Sequence, residues 1–489
     1  MTSRRQFLET SGALAAAAAI AGCDTSSHVR SLLNNDVELP FASPTDSAVN
    51  GVAHTIARLS YGARPGEHAR VRALGATESE AVSLYIEEQL SPRQYDHAAE
   101  RAVRRLEALA EPLGELYEFQ PSLLRDQIGA AAVLRAVYGE RQLHEVMVGF
   151  WTDHFNIDIS KGDCRWSTPA HDRDVIRPHT LGRFPELLRS VVLSPAMLWY
   201  LDGRVNRRAT ASERPNENYA RELLELHTVG VHGGYTQRDV MEVARALTGW
   251  TVRSRNTSRF GIGAVEFHQE LHDDGEKTIL GQVIQAGGGR RDVDALLTIV
   301  TQHPACALFM ASKLCRRFIA DDPSPTVVAD VARTFGATGG DISATLRTLF
   351  ATNEFQSARS SRLKRPFHFV VSALRATAAE TDGGKSIAAW LERMGQAPFQ
   401  YPTPDGYPDE AAPWLGTLLW RWQFASALIA NQIDGTHIDA LALRRRAGDE
   451  VALHAHLIGR APSAYERAAA SASANSLALA LSSPAFQLT

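Results

Sequence analysis

The sequence predicts a mainly α-helical protein, a single large multi-helix domain with at most a small β-hairpin. Apolar residues recur at helical spacing in four stretches, 78–90, 99–111, 121–138 and 142–155. This spacing places one apolar face along a helix. Strand-like alternation is confined to residues 250–283, and no low-complexity break interrupts residues 52–489. We therefore expect one helical domain over 52–489.

The composition is that of a globular protein. Of the 489 residues, 44% are hydrophobic and 22% are charged, and the formal net charge is −4. A mildly negative chain of this size argues against nucleic acid as a main partner. The sequence contains no CxxC pair, so a cysteine zinc site is not expected. We expect Cys164, Cys306 and Cys315 to be buried free thiols.

The first residues are typical of a twin-arginine signal peptide. Arg4 and Arg5 precede an apolar pair, and a run of small apolar residues follows at 13–20. That run is too short to span a bilayer as a mature helix. Residues 20–23, Ile-Ala-Gly-Cys, resemble a lipobox, which predicts cleavage after residue 22 and lipid on Cys23. The alternative is an ordinary cleaved signal that leaves Cys23 unmodified.

Residues 23–51 are rich in Ser, Asn, Asp and Pro and predict a flexible tether before the helical domain. Together with the signal, they predict export to the periplasm or cell envelope. The membrane partner would be reached through the lipid on Cys23, which would act as the anchor.

One candidate site lies on the helix predicted near residues 216–227. At 100° per residue, Arg221, Glu222 and Glu225 share a polar face, and His227 falls among apolar side chains on the other side. Two carboxylates at i and i+3 can bind a divalent metal when a second helix adds ligands. The alternative is a solvated face that carries an Arg221–Glu225 pair.

A second candidate lies at the end of the stretch 142–155. His154 falls on the buried apolar stripe, and Asp153 is its neighbour. A buried imidazole beside a carboxylate can act as a general base or as a metal ligand. The alternative is a core histidine with a satisfied hydrogen bond. The candidate catalytic residues are therefore Glu222, Glu225, Arg221, Asp153 and His154. The candidate ligands of a divalent metal are Glu222, Glu225 and His154.

Three further segments carry weaker signals. Thr236 and Asp239 form a capping-box pattern at the start of a helix. The cluster of histidine and aspartate at 268–274 is typical either of a metal-binding loop or of a surface turn. The Pro-rich, aromatic loop 401–408 is able to line a binding cleft or merely to stiffen a turn.

Several segments together resemble one bacterial family. They are Trp151-Thr-Asp-His-Phe-Asn156, Glu217-Asn-Tyr-Ala-Arg-Glu-Leu-Leu-Glu-Leu-His-Thr228, Gly233-Gly-Tyr-Thr236, Ala246-Leu-Thr-Gly-Trp250, His272-Asp-Asp-Gly-Glu-Lys277, Lys364-Arg-Pro-Phe367 and Pro402-Thr-Pro-Asp-Gly-Tyr407. The family is catalogued as domain of unknown function 1800, and the resemblance covers residues 52–489. It implies a single exported helical domain, often encoded beside a second exported protein that resembles sulfatases. It supplies no catalytic residues.

Two functions remain open from the sequence. One is an exported hydrolase that uses acid–base or metal-assisted chemistry at the polar residues named above. The other is a non-catalytic binding or assembly protein, a partner of the sulfatase-like exported protein.

Overall fold

The structure, a computed structural model, describes residues 41–91, 96–210, 212–254 and 261–489. The predicted signal at 1–22 and the predicted lipidation site at Cys23 lie outside these residues. Helices dominate the described chain, and its strands form only short two-stranded pairs. The predicted mainly α fold class is confirmed.

The α-helices, in chain order, are Gly51–Leu59, Glu67–Arg72, Glu78–Leu90, His97–Val103, Leu113–Leu116, Pro121–Tyr138, Gln142–His154, Cys164–His171, Arg177–His179, Phe184–Val192, Pro195–Tyr200, Asn218–Glu222, Gln237–Ala246, Asp292–Gln302, Pro304–Phe318, Pro325–Ala337, Ile342–Phe350, Asn353–Ser357, Pro366–Ala376, Lys385–Arg393, Leu418–Ile429, Ala440–Ala447, Glu450–Ile458, Ala464–Ala472, Ser476–Ser482 and Pro484–Gln487. Tighter 3₁₀ turns cover Glu107–Ala110, Gly203–Val205, Gln269–Leu271, Gly289–Arg291 and Ala412–Thr417. Two segments are π-helical, Asp172–Ile176 and Leu223–Thr228.

Three of the helices predicted from apolar spacing are found where they were predicted, at Glu78–Leu90, Pro121–Tyr138 and Gln142–His154. The prediction of one helix over 99–111 is wrong. The chain forms His97–Val103, leaves helical backbone at Leu106, and resumes as a 3₁₀ turn at Glu107–Ala110. The partly buried Leu106 packs against the cluster of Val103, Ala131 and Leu134 in this non-helical conformation.

The β-structure is slightly richer than predicted. Two antiparallel pairs lie in the region that the sequence indicated, namely Trp250–Val252 with Val265–Phe267 and Lys277–Ile279 with Gln282–Ile284. A third pair joins Glu380–Thr381 to Thr436–His437. None of the described pairs extends beyond two strands, so helices supply most of the core and the strands add only a few residues, such as Trp250 and Ile279.

One continuous cluster of buried apolar side chains runs from Val52 to Phe486. The predicted capping box is present, because the Thr236 side chain accepts from the Asp239 backbone and the Asp239 side chain accepts from the Thr236 backbone. Cys164, Cys306 and Cys315 are buried and free, as predicted.

The folded body begins before residue 52. The ring of Phe41 lies 4.8 Å from the ring of His456, and the Ala461 N–H donates to the Asp46 carbonyl at 2.7 Å. The last part of the predicted tether, residues 41–51, therefore packs against the C-terminal helices.

Within the described ranges, no single helix is long and apolar enough to cross a membrane. The consecutive segments Gly289–Gln302 and Pro304–Phe318, bent by 66°, reach that length and composition only when they are taken together.

Candidate functional site

Asp153 lies in the last turn of helix Gln142–His154. This helix is fixed in the core by Trp151, whose indole N–H donates to the Thr180 carbonyl at 2.9 Å. Trp151 and His154 belong to the buried stripe of the helix, whereas Asp153 falls beside it with a side chain that is 20% exposed. The helix thus presents a carboxylate at the edge of the core.

Arg365 pairs with this carboxylate from the start of helix Pro366–Ala376. Its Nη2 lies 2.7 Å from Asp153 Oδ2, and its Nη1 lies 3.6 Å from Asp409 Oδ1. Burial raises the pKa of Asp153, and Asp409 adds to the rise while Arg365 opposes it. Burial would also raise the pKa of Asp409, but Arg365 and its cationic neighbours hold that pKa below its usual value. Two carboxylates that share one guanidinium are therefore driven in opposite directions.

The loop 401–408 closes over the end of the same helix. The Asn156 side-chain amide donates to the carbonyls of Tyr401 and Thr403, at 2.9 and 2.8 Å. The Tyr200 hydroxyl donates to the carbonyl of Pro402 at 2.9 Å. These bonds satisfy the carbonyl groups of three consecutive loop residues, which would otherwise need water as a donor.

Gly406 brings this loop into direct contact with the helix. Its φ is +75°, a left-handed conformation, and a Cβ on it would overlap the carbonyl oxygen of Asp153. Only glycine meets both demands without strain. The close approach fixes the following residue, Tyr407, beside the Asp153–Arg365 pair.

A cavity of about 70 Å³ opens beside the pair. Its polar lining includes Tyr61, Asp153, Asn156, Arg365, Gln396 and Tyr407. This volume holds a few water molecules or one small chemical group. Burial raises the pKa of Tyr61 to about 12, so its hydroxyl remains a hydrogen-bond donor at neutral pH.

The opposite wall of the cavity is a second buried ion cluster. Arg177 contacts both oxygens of Glu145 at 2.9 and 3.1 Å and donates to Asp172 at 2.8 Å. Burial alone would raise the pKa of Glu145, but Arg177 and His144 hold it well below its usual value. Asp172 opens the π-helix Asp172–Ile176. Arg177 thus pairs with Glu145 through two contacts and with Asp172 through Oδ2, whereas Asp172 Oδ1 is buried without a hydrogen-bond partner among the described residues.

Glu222 and Glu225 lie on a half-exposed surface. The α-helix that carries Glu222 continues as the π-helix Leu223–Thr228, so the predicted angular spacing of 100° does not hold past Glu222. Arg221 lies 3.3 Å from Glu217 and 3.6 Å from Glu225, whose side chain is 26% exposed. Burial raises the pKa of Glu222, and the charge of Glu225 adds to the rise. The acidic face is therefore neither enclosed nor fully hydrated.

His154 and His227 are core residues. The Nε2 of His154 shares a hydrogen bond of 3.1 Å with the His227 carbonyl, and the two rings are 6.0 Å apart. Burial lowers the pKa of His227 to about 3 and that of His154 well below its usual value. Both rings are therefore neutral at physiological pH.

The side chains predicted to hold a divalent metal are not brought together. In the part of the chain that the structure describes, no three His, Cys, Asp or Glu side chains are placed to share a metal ion. His154 turns into the apolar core and bonds to backbone, whereas Glu222 and Glu225 lie on the half-exposed surface. Helical spacing alone did not reveal this separation.

The model of the family described as "Protein of unknown function (DUF1800)" matches residues 54–488. The chain belongs to the DUF1800 family. A twin-arginine translocation signal matches residues 1–21, so this DUF1800 protein is exported by the twin-arginine route. Neither the curated proteins nor the solved structures contain a match.

The site of this DUF1800 protein joins three segments that are distant in the chain. Residues 151–156, 364–367 and 402–407 meet at the cavity through Asp153, Arg365 and the loop contacts described above. A role was predicted for Asp153 but none for Arg365 or Tyr407. The signal at these two positions was a charged or aromatic residue next to Pro or Gly, which does not reveal a partner more than 200 residues away.

The histidine–aspartate cluster at 268–274 is part of a structural network. His272 Nε2 and Lys277 Nζ both contact Asp292, at 3.2 and 2.6 Å, and all three side chains are buried. Asp273 accepts from Arg245 at 2.7 Å. His272, Asp273 and Lys277 of this DUF1800 chain therefore belong to a buried ion network, whereas Asp274 is exposed and accepts a hydrogen bond from the Gly289 N–H.

Proposed function

We propose that this protein is an exported hydrolase that uses acid–base chemistry, with Asp153 as its proton donor. The observation that carries the proposal is the Asp153–Arg365–Asp409 arrangement, of which Asp153 and Arg365 line the cavity. A pair of carboxylates whose environments drive their pKa values apart is the usual arrangement of an acid and its ionised counterpart. A carboxyl with a raised pKa in a cavity is a candidate for proton transfer.

Each side chain of the pair has a distinct part. Asp153 reaches the cavity and would donate a proton to the leaving group while water attacks the scissile bond. Arg365 fixes the orientation of the Asp153 carboxyl through the 2.7 Å contact. Asp409 supplies the negative charge that favours the protonated form of Asp153. Asp409 is thus a positioning residue, and Asp153 is the catalytic one.

Glu222, Glu225 and Arg221 support this proposal less directly. Asp405, on the loop that closes the cavity, adds to the rise in the pKa of Glu222. The acidic face therefore lies within electrostatic reach of the loop. We place these three residues at the approach to the site, and His154 behind it as a core residue.

A panel of chromogenic substrates tests the proposal. Mature protein is incubated with nitrophenyl acyl esters, phosphates, sulfates and glycosides, in parallel with Asp153→Asn and with Arg316→Met, which alters an exposed cation. We expect one class to be hydrolysed by the wild type and by Arg316→Met, and about 10²–10⁴-fold more slowly by Asp153→Asn. Absence of hydrolysis across the panel, or equal rates in Asp153→Asn, would remove the enzymatic proposal.

We also propose that the mature chain is held to a membrane by lipid on Cys23. The lipobox-like residues 20–23 overlap the end of the twin-arginine signal, which matches residues 1–21. Intact-mass spectrometry of wild type and Cys23→Ser tests this, with acylated wild type and an unacylated variant as the expected result. An unmodified wild-type N-terminus contradicts it.

A binding or assembly role is the second candidate, with an exported protein such as the sulfatase-like one as the partner. An exposed apolar stripe favours it: Leu415, Leu419 and Trp422 lie along one helical face and are 56%, 57% and 48% exposed. Exposed apolar clusters of this kind mark interaction sites. The Trp422 indole N–H donates to the Ser482 carbonyl at 3.2 Å, which fixes the ring in place.

A pull-down from native membranes separates this candidate from the hydrolase. The bait is wild type, Leu419→Glu or Leu441→Glu, since Leu441 is 70% exposed and lies outside the stripe. Recovery of one exported protein by wild type and Leu441→Glu, but not by Leu419→Glu, supports assembly. Equal recovery by all three baits, or by none, counts against it.

A further inference from the structure

Lys364 and Arg365 are adjacent in the chain but lie at different cavities. Arg365 lines the cavity beside Asp153, whereas Lys364 lines a second cavity of about 70 Å³, and the two cavities share no lining residue. Lys364 is 6% exposed, and its Nζ donates to the Ser372 hydroxyl at 2.9 Å. The same Nζ lies 3.8 Å from the centre of the Phe486 ring. Ser372 and Phe486 both line the second cavity, so the Lys364 amine is held at its wall.

The Lys364 amine has no carboxylate partner among the described residues. The nearby charge that acts on it is that of Arg421, which is also positive, and burial together with this charge lowers the pKa of Lys364 to about 7. A lysine that is buried beside another cation is held largely as the neutral amine. The neutral amine carries a free lone pair, and it is the form of lysine that acts as a nucleophile.

The rest of this cavity wall is mostly apolar. Its apolar lining includes Pro44, Ile56, Ala57, Leu457, Ile458 and Leu488, and no Asp or Glu is among the lining residues that the structure describes. Pro44 belongs to the segment 41–51 that packs against the C-terminal helices, so this segment closes part of the cavity. An apolar wall with one amine favours a small uncharged organic molecule over an ion.

His54 supplies a hydrogen-bond acceptor at the same cavity. Its Nε2 lies 2.8 Å from the Phe355 carbonyl oxygen, so Nε2 carries the proton and donates it. Burial lowers the pKa of His54 to about 4, so the ring is neutral and its Nδ1 is an acceptor. This Nδ1 is enclosed and has no hydrogen-bond partner among the described residues. A ligand that carries a hydroxyl group would satisfy it.

We propose that Lys364 binds a small uncharged aldehyde or ketone covalently in this second cavity, as an imine. The Nζ lone pair attacks the carbonyl carbon, a C–N bond forms, and the π electrons of the C=O bond move to oxygen. One Nζ proton moves to that oxygen, which gives a carbinolamine. The second Nζ proton follows, the C–O bond breaks and water leaves, so the imine forms without an oxidant or a reductant. The carbinolamine hydroxyl is a donor of the kind that His54 Nδ1 lacks.

Reductive trapping with butanal or butanone tests the proposal. Mature wild-type protein is incubated at pH 7 with one of these probes and sodium cyanoborohydride, which delivers hydride to the imine carbon and leaves a stable secondary amine. Peptide mass spectrometry then locates the alkylated lysines. Lys385, whose side chain is 86% exposed, is the control within the same chain. We expect Lys364 to be alkylated at least about 10-fold faster than Lys385, because an exposed lysine is almost fully protonated at this pH.

Unfolding and substitution provide the controls. In urea that unfolds the chain, Lys364 and Lys385 should be alkylated at equal rates, because the preference for Lys364 depends on the fold. Lys364→Met should lose the fast alkylation of the whole protein, and Lys385→Met should keep it. Lys364→Arg keeps a cation but has no nucleophilic amine, so it serves if Lys364→Met does not fold. Asp153→Asn should be alkylated at Lys364 as fast as the wild type, because Asp153 lies at the other cavity.

The outcomes do not depend on the hydrolase proposal. Fast alkylation of Lys364 in protein that hydrolyses none of the chromogenic substrates supports this site and contradicts only the proposed function. Absence of an adduct on Lys364 with both probes overturns the imine site. Equal alkylation of Lys364 and Lys385 in the folded protein, or a preference for Lys364 that persists in urea, also overturns it, because the cavity then contributes nothing to the reaction.

Discussion

The Arg365 guanidinium lies 2.7 Å from the carboxylate of Asp153, which is more than 200 residues away in the chain, and 3.6 Å from that of Asp409. Both partners of the 2.7 Å pair are largely enclosed, with 9% and 20% of their side chains exposed. Removing one member of a buried pair leaves the other charge without compensation. We therefore expect the Asp153–Arg365 pair to stabilise the site as well as to orient its proposed acid.

Arg365→Met should therefore destabilise the protein by roughly 3–5 kcal/mol. Urea unfolding at pH 7 measures the change, with Arg316→Met as the control for loss of an exposed charge. The double variant Arg365→Met Asp153→Asn should recover part of the lost stability, because the neutral amide of asparagine needs no cationic partner. A change below about 1 kcal/mol in Arg365→Met, the size of a surface ion pair, would show that the pair is not structurally important.

Gly406 and Gly395 form a matched pair for testing the loop contact. Both have left-handed backbone, with φ of +75° and +77°, but only at Gly406 would a Cβ meet an atom, the Asp153 carbonyl oxygen. Gly395→Ala should destabilise the protein by about 1–2 kcal/mol through backbone strain alone. Gly406→Ala should destabilise it more, because its Cβ would press on the Asp153 carbonyl oxygen. Equal unfolding midpoints for the two variants would show that the loop does not press on the helix.

The buried histidines predict loss of stability in acid. Burial lowers the pKa of His54, His171 and His456 to about 4, and that of His227 to about 3. Between pH 6.5 and these values the unfolded chain binds protons that the folded chain does not. The free energy of unfolding therefore falls as the pH falls through this window, by at most about 1.4 kcal/mol per pH unit for each histidine.

His227→Leu isolates one of these contributions. Urea unfolding of wild type and variant at pH 7, 6, 5 and 4 gives the two pH dependences, and the variant should show the shallower decline. Parallel curves would mean that His227 is not held neutral in the folded protein.

Lys364 predicts a dependence on alkaline pH with the same sign. Its ammonium donates to the Ser372 hydroxyl at 2.9 Å, and burial, aided by Arg421, lowers its pKa from 10.5 to about 7. Between pH 7 and 10.5 the unfolded chain keeps a proton at this position that the folded chain releases. Its contribution to stability is therefore present above pH 10.5 and is lost as the pH falls towards 7. Comparing the unfolding midpoints of wild type and Lys364→Met at pH 7 and pH 9 should show a smaller rise in the variant, and an identical rise would contradict the assignment.

Local sequence patterns predicted much of the fold. The helices Glu78–Leu90, Pro121–Tyr138 and Gln142–His154 follow from apolar spacing, because each buries one face against the rest of the chain. The burial of His154 and His227 followed from the same spacing. The π-helix Leu223–Thr228 was not predicted, because its hydrogen bonds between residues five apart depart from the α-helical spacing on which the prediction rested.

The site itself was only partly predictable. Asp153 was predicted to act beside the buried His154. In the structure His154 bonds to the His227 carbonyl, and Asp153 pairs with Arg365. Arg365 and Tyr407 reach Asp153 through tertiary packing over more than 200 residues, which a single sequence does not encode in any local pattern.

The central claim is that Asp153 donates the proton, and kcat/KM of the Asp153→Asn variant tests this claim most directly. For the substrate that the wild type hydrolyses best, kcat/KM is measured in wild type, Asp153→Asn, Asp409→Asn and Arg316→Met over a range of pH. We expect kcat/KM to fall about 10²–10⁴-fold in Asp153→Asn and to be unchanged in Arg316→Met. In Asp409→Asn the pKa of Asp153 is no longer raised by its neighbour. The decline of kcat/KM with rising pH should therefore begin at a lower pH than in the wild type. A ratio near one between wild type and Asp153→Asn would contradict the account.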